Sequence, residues 1–316
     1  MKPKYCFYAT LLDTFTKFLT ADAKEFFYQG EDGKWHKNYN ETDGTFHYSQ
    51  DEVDEFLLRE LLDKINRKPF EPSEAASKGT VFNEIIDCIV HNRSSLNKDC
   101  FIASARDFID FSKKVFGADV RFDQESNTLV TIDEEALEIL KPYYDVYKKI
   151  GVPFIYGTCD NFEFYFDKYF CKHYAEYFKG ALSQYYTSAM IDTCYGLVKL
   201  YGYVDELIKN KVFDIKTAKS YTFGNYKKYW QRHVYPYCLI ESGDCTDIVS
   251  FEFSVFQLKG GSSRTPLISG DFYREVYDYD HEQSTELIRQ HCERFIEFLE
   301  AHRQEITDKK IFGLNG

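Results

Sequence analysis

The sequence predicts an α/β fold in a single domain, and three observations carry that prediction. A helical period over 79–91 is followed, after a long intervening segment, by three runs of strand character between 183 and 217. A further helix near 225–241 and a strand at 248–258 complete the order helix, three strands, helix, strand. Neither an internal repeat nor a low-complexity linker divides the 316 residues, and a chain of that length can bury a sizeable core.

Composition narrows the class. Apolar content of 44% and charged content of 28% are ordinary for a water-soluble globular chain, whereas 18% aromatic residues (29 Phe, 26 Tyr, 2 Trp) is high. Most of those rings must form core, and some can serve as stacking platforms for unpaired bases. A net charge of −12 excludes diffuse binding of nucleic acid over the whole surface. The charge is uneven, however: between 199 and 233, Lys199, Lys209, Lys211, Lys216, Lys219, Lys227, Lys228 and Arg232 face only Asp205, Glu206 and Asp214. The nine cysteines are scattered without a Cys-x-x-Cys pair, so neither a zinc site nor an iron–sulfur cluster is expected. Their odd, unpatterned number fits a reducing compartment, the N-terminus lacks an apolar signal core, and no apolar run approaches a membrane span. A cytoplasmic protein without membrane association is expected.

In chain order, Phe7, Leu11, Phe15, Phe18 and Leu19 recur at helical spacing and predict a helix over 5–28. A polar loop or hairpin over 29–50 leads to a helix at 51–66, which Lys68-Pro-Phe-Glu-Pro72 stops. The helix at 79–91 buries positions 81, 82, 85, 86, 89 and 90. Residues 92–182 read as a helical insertion, with helices near 104–116, 133–149 and 161–180 and a small hairpin at 119–132. Strands at 183–191 and 194–204 lead into a hairpin over 202–217, and a C-terminal strand and closing helix lie within 270–306.

The hairpin carries the chemistry. Val204 and Leu207 belong to one apolar run, Val212, Phe213 and Ile215 to the next, with Lys209-Asn210-Lys211 as the polar turn. Asp205 and Asp214 then sit on facing strands, near enough to share a cation. Lys216 points to the same side as Asp214, because strand side chains repeat with period two. Two carboxylates and an ammonium at one spot suit Mg²⁺ or Mn²⁺ and a phosphate. The other reading is a solvated hairpin with a surface salt bridge between Asp214 and Lys216.

Gly202-Tyr-Val-Asp205, then Asp214-Ile-Lys216-Thr217, then Gln231-Arg-His-Val-Tyr235 resembles the ordered motif series of the RecB-type branch of the PD-(D/E)XK nuclease superfamily. At the motif level the resemblance covers roughly 79–91 and 195–240. It implies a restriction-endonuclease-like core of α-β-β-β-α-β order around a mixed central sheet. It further implies a Mg²⁺- or Mn²⁺-dependent deoxyribonuclease, probing DNA ends as an exonuclease, in recombination, repair or phage DNA processing. A recombination or single-strand-binding partner would accompany that role. By the same resemblance Asp205, Asp214 and the Ile215 carbonyl hold metal, and Lys216 positions the water or steadies the phosphate. Gln231 and Tyr235 orient Lys216 or grip the strand, and Lys219, Lys227, Lys228 and Arg232 take flanking phosphates. One departure stands out. The family has Gly-x-x-x-His on the first helix, whereas Gly79 is followed by Asn83 and then Glu84. Either Glu84 takes over as ligand, or this helix gives only hydrogen bonds, or the site is impaired and the chain is a nucleic-acid or protein binding module.

Overall fold

The computed structural model describes residues 2–31, 34–123, 128–131 and 134–313. β1 (Tyr5–Tyr8) runs directly into α1 (Ala9–Leu19), where helical spacing alone predicts one helix from residue 5. The first four residues are a strand because Tyr5 and Phe7 alternate inward and pair in parallel with Val198–Tyr201, far along the chain. A hairpin of β2 (Phe27–Gln29) and β3 (Trp35–Lys37) precedes α2 (Gln50–Ile65). A capping box fixes the start of α2: Glu52 N–H donates to Ser49 Oγ, and Ser49 N–H donates to Glu52 Oε2. Ser73 caps α3 (Glu74–Val90), which buries Val81, Phe82, Ile85 and Ile86.

Segment 92–182 departs most from expectation. It is not a helical insertion but alternates strands and helices: β4 (Cys100–Ser104), α4 (Phe108–Phe116), β5 (Val120–Asp123), β6 (Thr128–Thr131) and α5 (Glu134–Ile150), then β7 (Phe154–Cys159), β8 (Phe162–Asp167) and α6 (Lys168–Tyr177). The aromatic run expected as one helix over 161–180 divides at Asp167. Before it, a two-residue turn with Asp160 at φ 54° pairs β8 with β7, and Phe164 and Phe166 face inward. After it, the Asp167 carboxylate accepts the N–H groups of Tyr169 and Phe170 and starts α6. Aromatic residues fill both spacings in this run, so periodicity could not separate strand from helix.

β9 (Leu182–Thr193), β10 (Gly196–Ile208) and β11 (Lys211–Ala218) form an antiparallel meander. α7 (Gln231–Glu241), β12 (Ser250–Lys259), β13 (Leu267–Asp278) and α8 (His281–Ala301) follow. α7 begins six residues later than the sequence predicts, which leaves Lys227 and Lys228 in the loop before it. The main sheet is mixed and nine-stranded, ordered β1-β10-β11-β12-β13-β8-β7-β4, with β9 on the other edge of β10. Helices cover both faces. Phe15 of α1, Val234 of α7 and Phe295 of α8 pack with Val198, Leu200 and Val204 of β10 in one cluster. Phe82 of α3 and Phe178 after α6 pack with Phe213, Ile215 and Phe256 in another. Along β11, Val212 serves the first cluster and Phe213 the second, as the period of a strand requires. Among the described residues no helix is long and apolar enough to cross a membrane.

Candidate active site

The pairing of β10 creates a fork. β9 runs along one edge of β10, so β1 and β11 must share the other: β1 pairs at Val198–Tyr201 and β11 at Glu206–Ile208. Gly202–Asp205 lie between them, and among the described residues no strand pairs with that edge. Side chains converge on this opening. Asp205 Oδ2 accepts the N–H of Ile215 at 2.8 Å, a side chain standing in for a ladder bond, and Gln184 Nε2 donates to Oδ1 at 3.3 Å. Asp214, 2% exposed, lies 2.6 Å from Lys216 Nζ and accepts from Gln231 Nε2. Lys216 Nζ in turn donates to Gln231 Oε1 at 2.7 Å. The Gln231 amide thus bridges the pair, its oxygen on the ammonium and its nitrogen on the carboxylate. Gln231 is set over β11 by the first turn of α7. Tyr235, one turn on, packs against Gly202, where a Cβ would stand 2.5 Å from its ring.

The hairpin is therefore buried at its functional end, and the Asp214–Lys216 pair is not a surface salt bridge. Burial raises the pKa of Asp205 to about 7, and the charge of Asp214 adds to the shift. Burial also raises Asp214, while Lys216 and Gln231 work against that rise. Burial opposes the charge on Lys216, but Asp214 and Asp205 outweigh it and raise its pKa, so Lys216 is an ammonium. Asp13 of α1 joins this group although no motif points to it. Its Oδ1 accepts the N–H of Trp230 at the mouth of α7, Oδ2 is buried without a hydrogen-bond partner, and burial lifts its pKa to about 7. A carboxylate between the inward-facing Leu12 and Phe15 was the available signal.

On the α3 side, a cavity of about 690 Å³ is lined by Asp205, Gln184, Asn83, Asp87 and His91 among others. Asn83 Oδ1 is buried there without a hydrogen-bond partner. Glu84 lines the same cavity, but its Oε1 is already engaged, accepting Leu96 N–H at 2.8 Å and Arg93 Nη1 at 3.1 Å. Burial penalises its charge, yet those donors hold its pKa below the ordinary value. Glu206, fully buried, accepts from Ser183 Oγ at 2.6 Å, and Ser183 Oγ lies 2.7 Å from His91 Nε2. Burial, with Asp87 adding, pushes Glu206 to about 9, and burial pushes Asp87 to about 6. No motif marks either acid, and Glu206 continues the inward series of Val198, Leu200, Gly202 and Val204 on β10, where a strand otherwise places uncharged residues.

The four cations expected to take phosphates divide. Lys219, Lys227 and Lys228 are exposed on the loop between β11 and α7. Arg232 instead lies 4.7 Å from the Tyr277 ring centroid with Nε buried and unbonded, and burial lowers its pKa.

Among the described residues no group of three or more His, Cys, Asp and Glu side chains is arranged to hold a metal ion by itself. Two carboxylates and the unpartnered amide oxygen of Asn83 are nonetheless a hard-oxygen donor set. They fit Mg²⁺ or Mn²⁺, which keep several waters and take further oxygens from substrate phosphates.

No family model matches the chain, and no curated protein matches it. Among solved structures, one titled "Crystal structure of SSO0001" is similar at 17% identity, covering 35% of this chain and 49% of that chain, with a TM-score of 0.24. The chain spans about half the length of that structure, and a likeness of this extent carries no argument about fold or function.

Proposed function

We propose that the protein is a divalent-metal-dependent nuclease of PD-(D/E)XK type that hydrolyses phosphodiester bonds in DNA. The observation that carries the reading is the fork itself: Asp205 and Asp214 from adjacent strands meet beside an ammonium, Lys216, which Gln231 and Asp214 hold between them. The order α3, β9, β10, β11, α7, β12, with β9 to β12 adjacent in one mixed sheet, supports the same reading. A bound Mg²⁺ or Mn²⁺ would act as a Lewis acid at the phosphate and supply an activated water. Asp205, Asp214 and Asn83 would hold it. Lys216, kept protonated by its two aspartates, offsets charge that builds on the phosphoryl oxygens. Gln231 is a positioning residue for Lys216, and Tyr235 seats Gln231 by packing on Gly202. Lys219, Lys227 and Lys228 are placed to meet flanking phosphates.

A second reading, a binding module without catalysis, is favoured by one feature. The resting site is already balanced, with Asp214 held by Lys216 and Gln231 and Glu84 committed to Arg93. The test is incubation with linear and circular DNA, single- and double-stranded, with and without Mn²⁺, alongside Asp214→Asn. Cleavage by the wild type that this variant loses, together with loss of its Mn²⁺-linked rise in melting temperature, is the expected result. Mn²⁺ stabilisation unchanged in Asp214→Asn would remove Asp214 from the metal site.

A further inference from the structure

We propose that the outward face of β9 and β10 is a track for single-stranded nucleic acid that leads into the fork. This inference deepens the nuclease reading and rests on it. Two clefts meet on this face. One, of about 720 Å³, is lined by Lys2, Lys199 and Lys310 together with Tyr186 and Tyr201. The second, of about 360 Å³, shares Arg67 and Tyr201 with the first, and its far wall is Gly202, Tyr203 and Tyr235. Tyr235 is the residue that seats Gln231, so the two clefts form one path from a basic end to the candidate centre. Among the described residues neither cleft has an acidic lining residue, on a protein of net charge −12.

The chemistry along the path alternates charge and ring. On β10, Lys199, Tyr201 and Tyr203 are the outward positions between the inward Val198, Leu200 and Gly202. From Lys199 to Asp205 the strand spans roughly 20 Å at about 3.3 Å per residue. Register puts Tyr186 of β9 opposite Tyr203, and the two rings lie 5.3 Å apart while remaining 44% and 57% exposed. Lys199 Nζ sits 5.9 Å from the Tyr186 centroid. Among the described residues Lys2, Lys199 and Lys310 have no carboxylate within ion-pair distance. Arg67 is fixed in the shared wall by Asp308 at 2.6 Å and by Tyr201 Oη at 3.1 Å. Exposed aromatic faces beside unpaired cations suit a chain that offers bases and phosphates together. A duplex keeps its bases stacked and gives those rings nothing to hold, so the occupant is single-stranded.

The experiment is fluorescence anisotropy with a labelled oligo-dT strand in EDTA, where cleavage cannot consume the probe. Tyr186→Ala with Tyr203→Ala should weaken binding about tenfold or more and leave the salt slope unchanged. Lys199→Ala with Lys310→Ala should flatten the slope of log K against log salt by about 1.4. These residues are surface-facing, and melting curves verify the fold of each variant. A duplex of equal length bound as tightly as oligo-dT, heparin displacing the strand as well from the tyrosine variant as from the wild type, or both pairs leaving affinity unchanged would each overturn the proposal. The two readings fail separately. Asp214-dependent cleavage with groove variants of normal affinity removes the track alone. Binding lost in the groove variants, in a protein that cuts no DNA with any metal, keeps the track and removes the nuclease.

Discussion

Asn83 and Glu84 adjoin in sequence and line one cavity, but they differ in their hydrogen-bond partners. Oε1 of Glu84 already accepts from Leu96 N–H and Arg93, whereas Asn83 Oδ1 is buried without a hydrogen-bond partner, and both residues line the cavity that Asp205 lines. Glu84→Gln is expected to cost about 1–3 kcal/mol, because it weakens charge-assisted bonds to a buried acceptor, with Mn²⁺ affinity unaltered. Asn83→His is expected to tighten Mn²⁺ binding, since a neutral imidazole is a better ligand for a transition metal than an amide oxygen. Urea unfolding and calorimetry separate the two effects. A Glu84→Gln protein with normal stability and weakened Mn²⁺ binding would reverse the assignment.

At the scale of elements, the site depends on how closely α7 rides over β10. Gly202 permits that approach: an added Cβ would lie 2.5 Å from Tyr235 Cε1 and 3.3 Å from Cζ, and the ring is buried and stiff. Gly202→Ala should lower stability by about 1–3 kcal/mol, more than the ~0.5–1 kcal/mol that alanine gains over glycine in a strand. On the proposed nuclease reading it should also slow cleavage, because Gln231 shares the displaced helix. An unchanged urea midpoint would mean that Tyr235 yields freely. The same elements mark what could be read from sequence. Asp214 and Lys216 two apart on a strand, and Gln231 and Tyr235 four apart on a helix, are local spacings, and the structure brings these residues together with Asp205. β1 was not legible, since its partner lies about 190 residues away and its helical spacing is real on the α1 side. Asp13 offered only its place between inward-facing residues, because its meeting with Trp230 is purely tertiary. In segment 92–182, rings at both periods hid β7 and β8, and the loop before α7 mimicked its first turns.

For the whole molecule, the buried acids make stability depend on pH in a direction that can be worked out. Asp13 and Asp205 are raised to about 7, Asp87 to about 6 and Glu206 to about 9, in each case first by burial. The folded protein thus keeps protons that the unfolded chain has already released, and these groups cost stability as pH rises through their folded values. His233 and His291, lowered by burial to about 4, act the other way: the unfolded chain takes up protons below 6.5 that the folded state refuses. Below 6.5 the two sets oppose each other, and above it the histidines no longer contribute. The metal-free protein should therefore lose stability steadily from about pH 6.5 to about pH 8.5. Glu206→Gln should flatten the upper part of that decline, because the amide has no proton to hold. Saturating Mn²⁺ should flatten the lower part, because a cation at Asp205 replaces its proton. Urea midpoints in EDTA across that range provide the measurement, and a midpoint that stays level or climbs between the two pH values would show that these carboxyls ionise in the folded protein as they do in water.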